Sequence, residues 1–578
     1  MTVTVVPLLF CRVTQILRTP RILIVGGGPV GLAAALELAR FGVASVVLER
    51  RAATSWHPKT RNLNTRTMEI ARGWGHAVYQ RLRGIDTPDG WKSPIRFLDT
   101  LTGTEFGQIE ARGFLGPGPQ VSPALPIMSS QDLVERILWD AAIATGLVEL
   151  RFGHEVTAVL AGWRPEDTEA SLEVRAPSGA GYTISGSALI AADGVDSLVR
   201  AQLGIALEGA QAVRHFVNCY FRADLESHLG DRRGVLLYVA GQRAAGIFQP
   251  LDARGRWLCQ IPVSAEEWEA GAYSPEACVD WIRAGAGVPD LEVEVRHVGR
   301  WRMNAAIADR LVAGRVVLCG DAAHQLPPTG GLGVNTGLQG MHNVAWKLAL
   351  CVRGIADWSL LHTYDEERRR PSQEIITQSL ANFANVTQVA AAFYGHTPQL
   401  TTEEAIRATH RYGNHLGVEL GTVYSSAAVI PDGTVPPAVD DPYADYQPSA
   451  TPGCRAPHLW LGRGDGRLST LDLFGPRFTV LTTGEDHPWD RAAARVADRY
   501  GVPVAAVTVG APGIEDDEGV FLTQYGIKPG GAVLVRPDGH VAWRCAVAPE
   551  DADGVLDRAL AQVLGRPVPG QPGPEGGD

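Results

Sequence analysis

The sequence predicts a mixed α/β architecture: a parallel-sheet unit, an antiparallel sheet inserted into it, and a further α/β unit at the C-terminal end. Three observations carry this. Residues 21–25 (RILIV), 29–41 and 45–49 (SVVLE) read as strand, helix and strand, the βαβ unit of a parallel sheet. From about 213 to 300 the pattern changes to short alternating runs between turn residues (FVNCYF, VLLYVA, AGIFQP, RWLCQIPV, LEVEVRHV), as in an antiparallel sheet with one free face. Residues 456–565 then read β-α-β-β-β-α.

The elements follow in order. Residues 1–19 form an extension with no basic residue ahead of the apolar patch, so no secretory signal is read there. In the first helix Leu32, Leu36 and Ala39 recur at helical spacing, and Gly42 stops it. Residues 130–144 form a helix, and 154–160, 171–175 and 182–192 are strand-like. Residues 316–320 (VVLCG) return to a buried parallel strand, followed by a long helix from about 335 to 353. Residues 375–402 lack Asp, Glu, Lys and Arg, but Ile376, Leu380, Phe383, Ala390 and Phe393 recur at helical spacing among polar residues. That pattern is an amphipathic helix, not a membrane span. Residues 397–455, rich in Pro, Gly, Ser and Thr, read as a linker. The C-terminal unit has a hairpin at Pro537-Asp538-Gly539 and resembles a thioredoxin fold. It has no CxxC, which excludes dithiol chemistry. The Pro/Gly-rich tail 566–578 reads as disordered.

Composition narrows the function. The 578 residues are 45% hydrophobic and 20% charged, enough for several compact units. Lys+Arg 52 against Asp+Glu 63 gives −11, with no basic run, which argues against a nucleic-acid partner. The eight cysteines show no CxxC and no metal-ligand spacing, so no metal is expected and a reducing cytoplasm is. GxSxG, HExxH and P-loop patterns are absent.

Gly26-x-Gly28-Pro29-x-Gly31 lies between a strand and a helix, the context in which this pattern marks a dinucleotide. Gly26 allows the tight turn, Gly28 the approach of a diphosphate, and Gly31 close packing of the helix. The helix N-terminus offers free N–H groups to the phosphates. Glu49, 23 residues after Gly26, is placed to accept from ribose hydroxyls and would repel a 2′-phosphate. This motif alone does not separate FAD from NAD.

A second signature does: Gly320-Asp321-Ala322-Ala323-His324, then Pro327-Pro328-Thr329-Gly330-Gly331-Leu332-Gly333-Val334-Asn335. With Asp193-Gly194 and its flanks, Arg66-Thr67-Met68-Glu69, Ser130-Gln131, Asn343-x-x-Trp346-Lys347, and Tyr364…Glu367-Arg368…Pro371, the chain resembles the single-component, FAD-dependent aromatic hydroxylases (group A flavoprotein monooxygenases) over roughly 20–380. Arg455-Ala456-Pro457-His458 and Arg536-Pro537-Asp538-Gly539 resemble the members acting on chlorophenols and on polycyclic polyketides of the tetracenomycin type.

The resemblance implies a p-hydroxybenzoate-hydroxylase-like fold. The FAD-binding domain would be discontinuous (20–90, 127–204 and 300–396), with a substrate domain formed by 91–126 and 205–299. It implies FAD held by Gly26, Gly28, Pro29, Gly31, Glu49, Arg50, Arg61 (or Asn62), Gln131, Val156, Asp193, Asp321, Pro328, Gly331, Gly333, Val334 and Asn335. It further implies NADPH (or NADH) as transient co-substrate, and O₂ delivered to an aromatic ring through a flavin C4a-hydroperoxide. Tyr220, Tyr238, Phe248 and Trp301 are candidate substrate walls; no acid–base residue is singled out. Baeyer–Villiger insertion or a multi-step rearrangement by the same flavin, and an O₂-independent reductase, are the alternatives. The chain is expected to be a monomer or homodimer. One position departs from the resemblance: Gly340 stands where an Asp is usual.

Overall fold

The computed structural model describes residues 21–59, 61–464, 466–484 and 488–568. The expected extension 1–19, and residues 569–578 of the expected disordered tail, lie outside them.

The first sheet runs in the order Val312–Ala313, Val316–Leu318, Ala188–Ala191, Arg21–Val25, Ala44–Glu49, Val148–Phe152, parallel except for its terminal hairpin strand. Its central strands are almost wholly apolar, as strands covered on both faces must be. The first strand is out of order relative to its neighbours, so the chain crosses over at its carboxyl end. That is where ligands bind in such sheets. The run expected at 182–192 divides. Gly181–Gly186 joins a three-stranded antiparallel sheet with Ala170–Arg175 and Glu155–Ala161, while Ala188–Ala191 enters the parallel sheet.

The inserted sheet has eight strands, in the order His324–Gln325, Glu294–Ala308, Leu207–Arg222, Arg256–Val263, Ala245–Pro250, Leu236–Ala240, Ile95–Leu98, Glu105–Ile109. It is antiparallel apart from the pair Leu236–Ala240/Ile95–Leu98. One face buries Phe221, Phe248, Trp257 and Trp281. The other looks toward the parallel sheet.

Two sequence readings are corrected. Residues 397–455, expected to be a linker, are packed into the fold. They hold the helices Thr402–Ala408 and Leu416–Leu420, and Tyr412, Tyr424 and Tyr443 are buried. The helix expected from 375 begins earlier, spans His362–Phe393 and passes through Pro371. The C-terminal unit has a four-stranded sheet, Val504–Val509, Phe478–Thr483, Ala532–Val535, Val541–Cys545, with the first pair parallel. A short helix, Phe521–Tyr525, interrupts the expected element order.

This unit does not stand apart. Phe478, Leu534 and Leu560 share one hydrophobic core with Trp346 and the parallel sheet. A fully buried ionic cluster crosses the same boundary. Glu367 accepts from both terminal nitrogens of Arg536 (2.6 and 2.8 Å) and from Lys347 (2.8 Å). Arg536 also pairs with Asp538, which takes bonds from Asn343 and Trp346. Arg66 donates to the Asp538 carbonyl and to Glu69, and Glu69 pairs with Arg455. Burial works against every charge here. The Arg536 and Lys347 cations nevertheless hold Glu367 well below the usual carboxylate range.

The unusual Gly340 has a packing reason. A Cβ there would lie 3.2 Å from the Tyr364 hydroxyl, which donates to the Leu318 carbonyl. A side chain there would need the phenol to give by a few tenths of an ångström.

Candidate active site

A cavity of about 1570 Å³ lies between the carboxyl end of the parallel sheet and the open face of the inserted sheet. Pockets for one small ligand hold roughly 300–1,000 Å³, so this space admits a dinucleotide and a second molecule together.

One end is the glycine turn. Gly26 has φ +105°, and a Cβ on it would meet the Ala192 carbonyl oxygen at 2.1 Å; a Cβ on Gly31 would meet the Gly26 oxygen at 1.9 Å. Both glycines are therefore required by the backbone itself. Gly28 differs: it lines the cavity, and a Cβ there meets nothing within 4 Å. Gly28 caps the helix Pro29–Arg40 without a side-chain bond, and Pro29 occupies the first turn. The first N–H groups of a helix have no partner within the helix, so this end suits an anion.

Glu49 ends its strand and faces the cavity. It accepts from the Gly27 N–H (2.7 Å) and from the backbone and Nε of Arg51 (both 2.9 Å). Burial works upward on its carboxyl, but the Arg51 and Gly27 bonds outweigh it and hold it low, hence anionic. Arg50, Gln131, Val156 and Asp321 line the same space. Gln131 donates to Glu135 (2.6 Å), whose other oxygen accepts from Ser55 N. Asp321 opens onto the cavity, whose walls push its carboxyl up, with Lys59 opposing. Asp193 also lines the cavity, yet its carboxylate accepts from Ser197 (2.6 Å) and Val199 N (3.1 Å), securing the start of the helix Leu198–Gln202.

The far end is the glycine loop and the helix Gly333–Val352. Pro328, Gly331, Gly333 and Val334 line the cavity. Asn335 does not. Its side chain donates to the carbonyls of Asn62 (3.0 Å) and Gly331 (2.9 Å) and accepts from Asn64 N and Thr67. It ties the loop in place, while its neighbours put the positive end of the helix toward the cavity. Arg61 lines the cavity too, but its guanidinium reaches the inserted sheet, donating to the carbonyls of Val235 (2.8 Å) and Pro250.

The structure brings one of the four expected wall residues to the cavity. Tyr238 lines it, stacks on Phe97 (5.4 Å) and donates to Tyr412 (2.9 Å). Phe248 is turned away, since Ile247 and Gln249 take the cavity face and alternation along the strand leaves Phe248 stacked on Trp281 (5.2 Å). Tyr220 lies outside the cavity and accepts from Arg256 (3.0 Å). Trp301 sits behind Phe216, stacked at 4.7 Å, and donates to Asn218; Phe216 is the lining residue. Sequence reasoning missed Phe97, Phe114, Phe216 and Tyr412. The same alternation that excludes Phe248 would have pointed to the faces of Phe97 and Phe216 had the sheet order been known.

Residues 19–379 match the family described as FAD binding domain, and 449–567 the one described as aromatic-ring hydroxylase, C-terminal. A putative polyketide hydroxylase of Streptomyces halstedii is 36% identical, over 94% of this chain and 97% of that protein. Tetracenomycin A2 monooxygenase-dioxygenase of Streptomyces glaucescens is 34% identical, over 96% and 98%. Among solved structures, aklavinone-11 hydroxylase in a ternary complex with FAD and aklavinone superposes with a TM-score of 0.82 at 33% identity, covering 95% of this chain and 99% of that one. The fold and site thus define a flavoprotein monooxygenase. The chain belongs to the FAD-dependent aromatic-ring hydroxylases.

The cavity fits FAD on its own terms: open space at Gly28, an uncapped helix start, an anionic Glu49 and a second helix start at the other end. Asp321→Ala is expected to purify with much less FAD. A hydrogen bond to a charged group is worth about 1.5–3 kcal/mol, a 10- to 100-fold weaker site. Absorbance of the purified variant at the flavin band measures it, and full retention would remove Asp321 from the site.

Proposed function

We propose that the chain hydroxylates a polycyclic aromatic polyketide, using NADPH (or NADH) and O₂ with bound FAD. The observation that carries this is the division of one large cavity into a polar end with a glycine turn and an aromatic end walled by Phe97, Phe114, Phe216, Tyr238 and Tyr412. The relatives named for polyketides support the substrate class.

In this reading the Gly28 turn and Arg50 face the diphosphate, Glu49 and Asp321 the sugar and ribityl hydroxyls, and Gly331 to Val334 the isoalloxazine edge. When bound, FAD supplies electron transfer from the pyridine nucleotide and activation of O₂. The protein supplies the rest. The start of the helix Gly333–Val352 stabilises negative charge at the ring edge. The aromatic walls orient a planar substrate and exclude water, which protects a reactive oxygen species from wasteful release. The C-terminal unit is a thioredoxin-like fold without CxxC. Its part is to close the back of the FAD-binding domain through the Arg536–Glu367 cluster.

A relative named monooxygenase-dioxygenase favours a second reading, more than one oxygenation on one substrate. One experiment separates the readings. Purified enzyme with FAD is assayed for NADPH oxidation against phenols, naphthols and anthraquinone-type polyketides, and product mass is recorded. Strong stimulation by the polycyclic class with a gain of one oxygen is expected. A gain of two oxygens supports the multi-step reading, and stimulation by simple phenols alone overturns the substrate class.

A further inference from the structure

The ionic seam between the C-terminal unit and the FAD-binding domain encloses a small cavity of about 10 Å³, room for one water molecule or one small ion. Both sides line it. Arg66 and Arg368 come from the FAD-binding domain, Glu419 and Tyr424 from the packed segment 397–455, and Asp538 and His540 from the C-terminal unit.

Arg368 differs from the other cations of the seam. Arg66 and Arg455 pair with Glu69, and Arg536 and Lys347 with Glu367. Arg368 is 3% exposed, yet among the described residues no carboxylate pairs with it. Its terminal nitrogens donate to neutral groups, the Tyr424 hydroxyl (3.2 Å) and the Thr336 carbonyl (3.4 Å), and its buried Nε has no partner. His540 stacks on the same Tyr424 ring (4.0 Å), and its buried Nδ1 also lacks a hydrogen-bond partner. The acids that line the cavity are already engaged. Both Asp538 oxygens accept from Arg536, and the Glu419 oxygens serve His415 and the Thr65 N–H.

Charge points the same way. Five buried cations, Arg66, Lys347, Arg368, Arg455 and Arg536, meet four buried carboxylates, Glu69, Glu367, Glu419 and Asp538. One positive charge is left over. Lys347, lowered by burial to about 8, keeps its proton at pH 7. His540 and His324, the latter facing Arg368, are held neutral by burial. His415 sits on Glu419, and His342 on a Glu37 that Arg40 already balances, so a proton on either would only add to the surplus. A buried cation without a counter-charge is costly, and an anion removes that cost where a water molecule would not.

We propose that this seam binds one small monovalent anion of the halide class, held by the Arg368 Nε–H beside Tyr424 and His540. The ion completes the junction that fastens the C-terminal unit to the FAD-binding domain. It takes no part in the reaction, and the proposal stands apart from the hydroxylase reading.

Urea unfolding of the FAD-loaded protein tests it, at pH 7 and fixed ionic strength, with chloride replaced stepwise by gluconate, an anion too large for the cavity. Once chloride exceeds its dissociation constant, the folding constant should rise about tenfold for each tenfold increase in chloride. Arg368→Met removes the surplus charge and should fold without any chloride dependence. Should that variant fail to fold, wild-type crystals grown in bromide decide, since anomalous scattering should mark one ion within hydrogen-bond distance of the Arg368 Nε. A wild type indifferent to chloride, a Met variant with undiminished dependence, or a water molecule in that place in the bromide crystal overturns the proposal.

Discussion

Glu367→Gln is expected to cost about 3–5 kcal/mol of stability, the usual result of removing one partner from a buried ion pair. The size follows from what is left behind. Glu367 is the acceptor for Arg536, Lys347 and Asn343, all fully buried, and its other oxygen also accepts from Ser426 (2.6 Å). An amide cannot neutralise two cations at once. The strain has some relief at Lys347, whose ammonium burial already lowers to about 8 against the pull of Glu367. Without that carboxylate it should lose its proton more readily still. Thermal and urea unfolding of the two proteins measure the difference, and a loss below about 1 kcal/mol would show the cluster to be dispensable. Replacing Lys347 by Met in the Gln background removes one stranded charge and should recover part of the loss; contacting pairs couple by about 0.5–3 kcal/mol. The pH dependence has a definite sign. The folded pKa of Glu367 lies well below its ordinary 4.5. Its stabilisation is complete above pH about 4.5 and is lost as pH falls toward the folded value. The wild type should therefore lose stability in acid more steeply than the Gln variant.

The same cluster marks the limit of reading a sequence. Arg66, Glu69, Asn343, Trp346, Lys347, Glu367, Arg536 and Asp538 all stood out as motif residues, but nothing local says that they meet. Glu367 and Arg536 are 169 positions apart. The glycine turn was legible because its pattern is local: Gly26, Gly28 and Gly31 lie between a strand and a helix, and Gly31 is fixed by the Gly26 oxygen, although the Ala192 oxygen that crowds Gly26 is distant in the chain. The helix at Gly333 was legible for the same reason. The substrate wall was not. Which face of Ala245–Pro250 meets the cavity depends on where that strand sits in an eight-stranded sheet, so Phe248 was as good a candidate as Ile247. Composition misled at 397–455, where Pro, Gly, Ser and Thr suggested a linker and concealed Tyr412 at the cavity. Pro371, noted in the sequence only as a motif residue, lies inside the long helix, where the Ser372 hydroxyl donates to the Arg368 carbonyl (2.7 Å).

Gly28→Val should leave the fold intact and abolish FAD binding, and this separation makes it the sharpest test of the site. Most substitutions in a glycine turn confound the two. A valine at Gly31 would place Cβ on the Gly26 oxygen, and one at Gly26 would combine a clash at Ala192 with a φ of +105°. Either would damage the sheet–helix packing, and loss of the flavin would follow trivially. Gly28 has φ −77° and extended ψ, a conformation any L-residue adopts, and its Cβ would enter free space. That space is the cavity itself. A valine should therefore fold, at a cost of about 1 kcal/mol for losing a glycine at a helix N-cap and without a packing clash. Its methyl groups would stand where a diphosphate must approach the uncapped helix start. Losing those charge-assisted bonds, at about 1.5–3 kcal/mol each, weakens FAD by on the order of 100-fold or more. Unfolding midpoint of the apoprotein and flavin titration together decide the outcome. A variant that melts early says the turn is structural only, and one that stays yellow with unchanged affinity moves the diphosphate elsewhere.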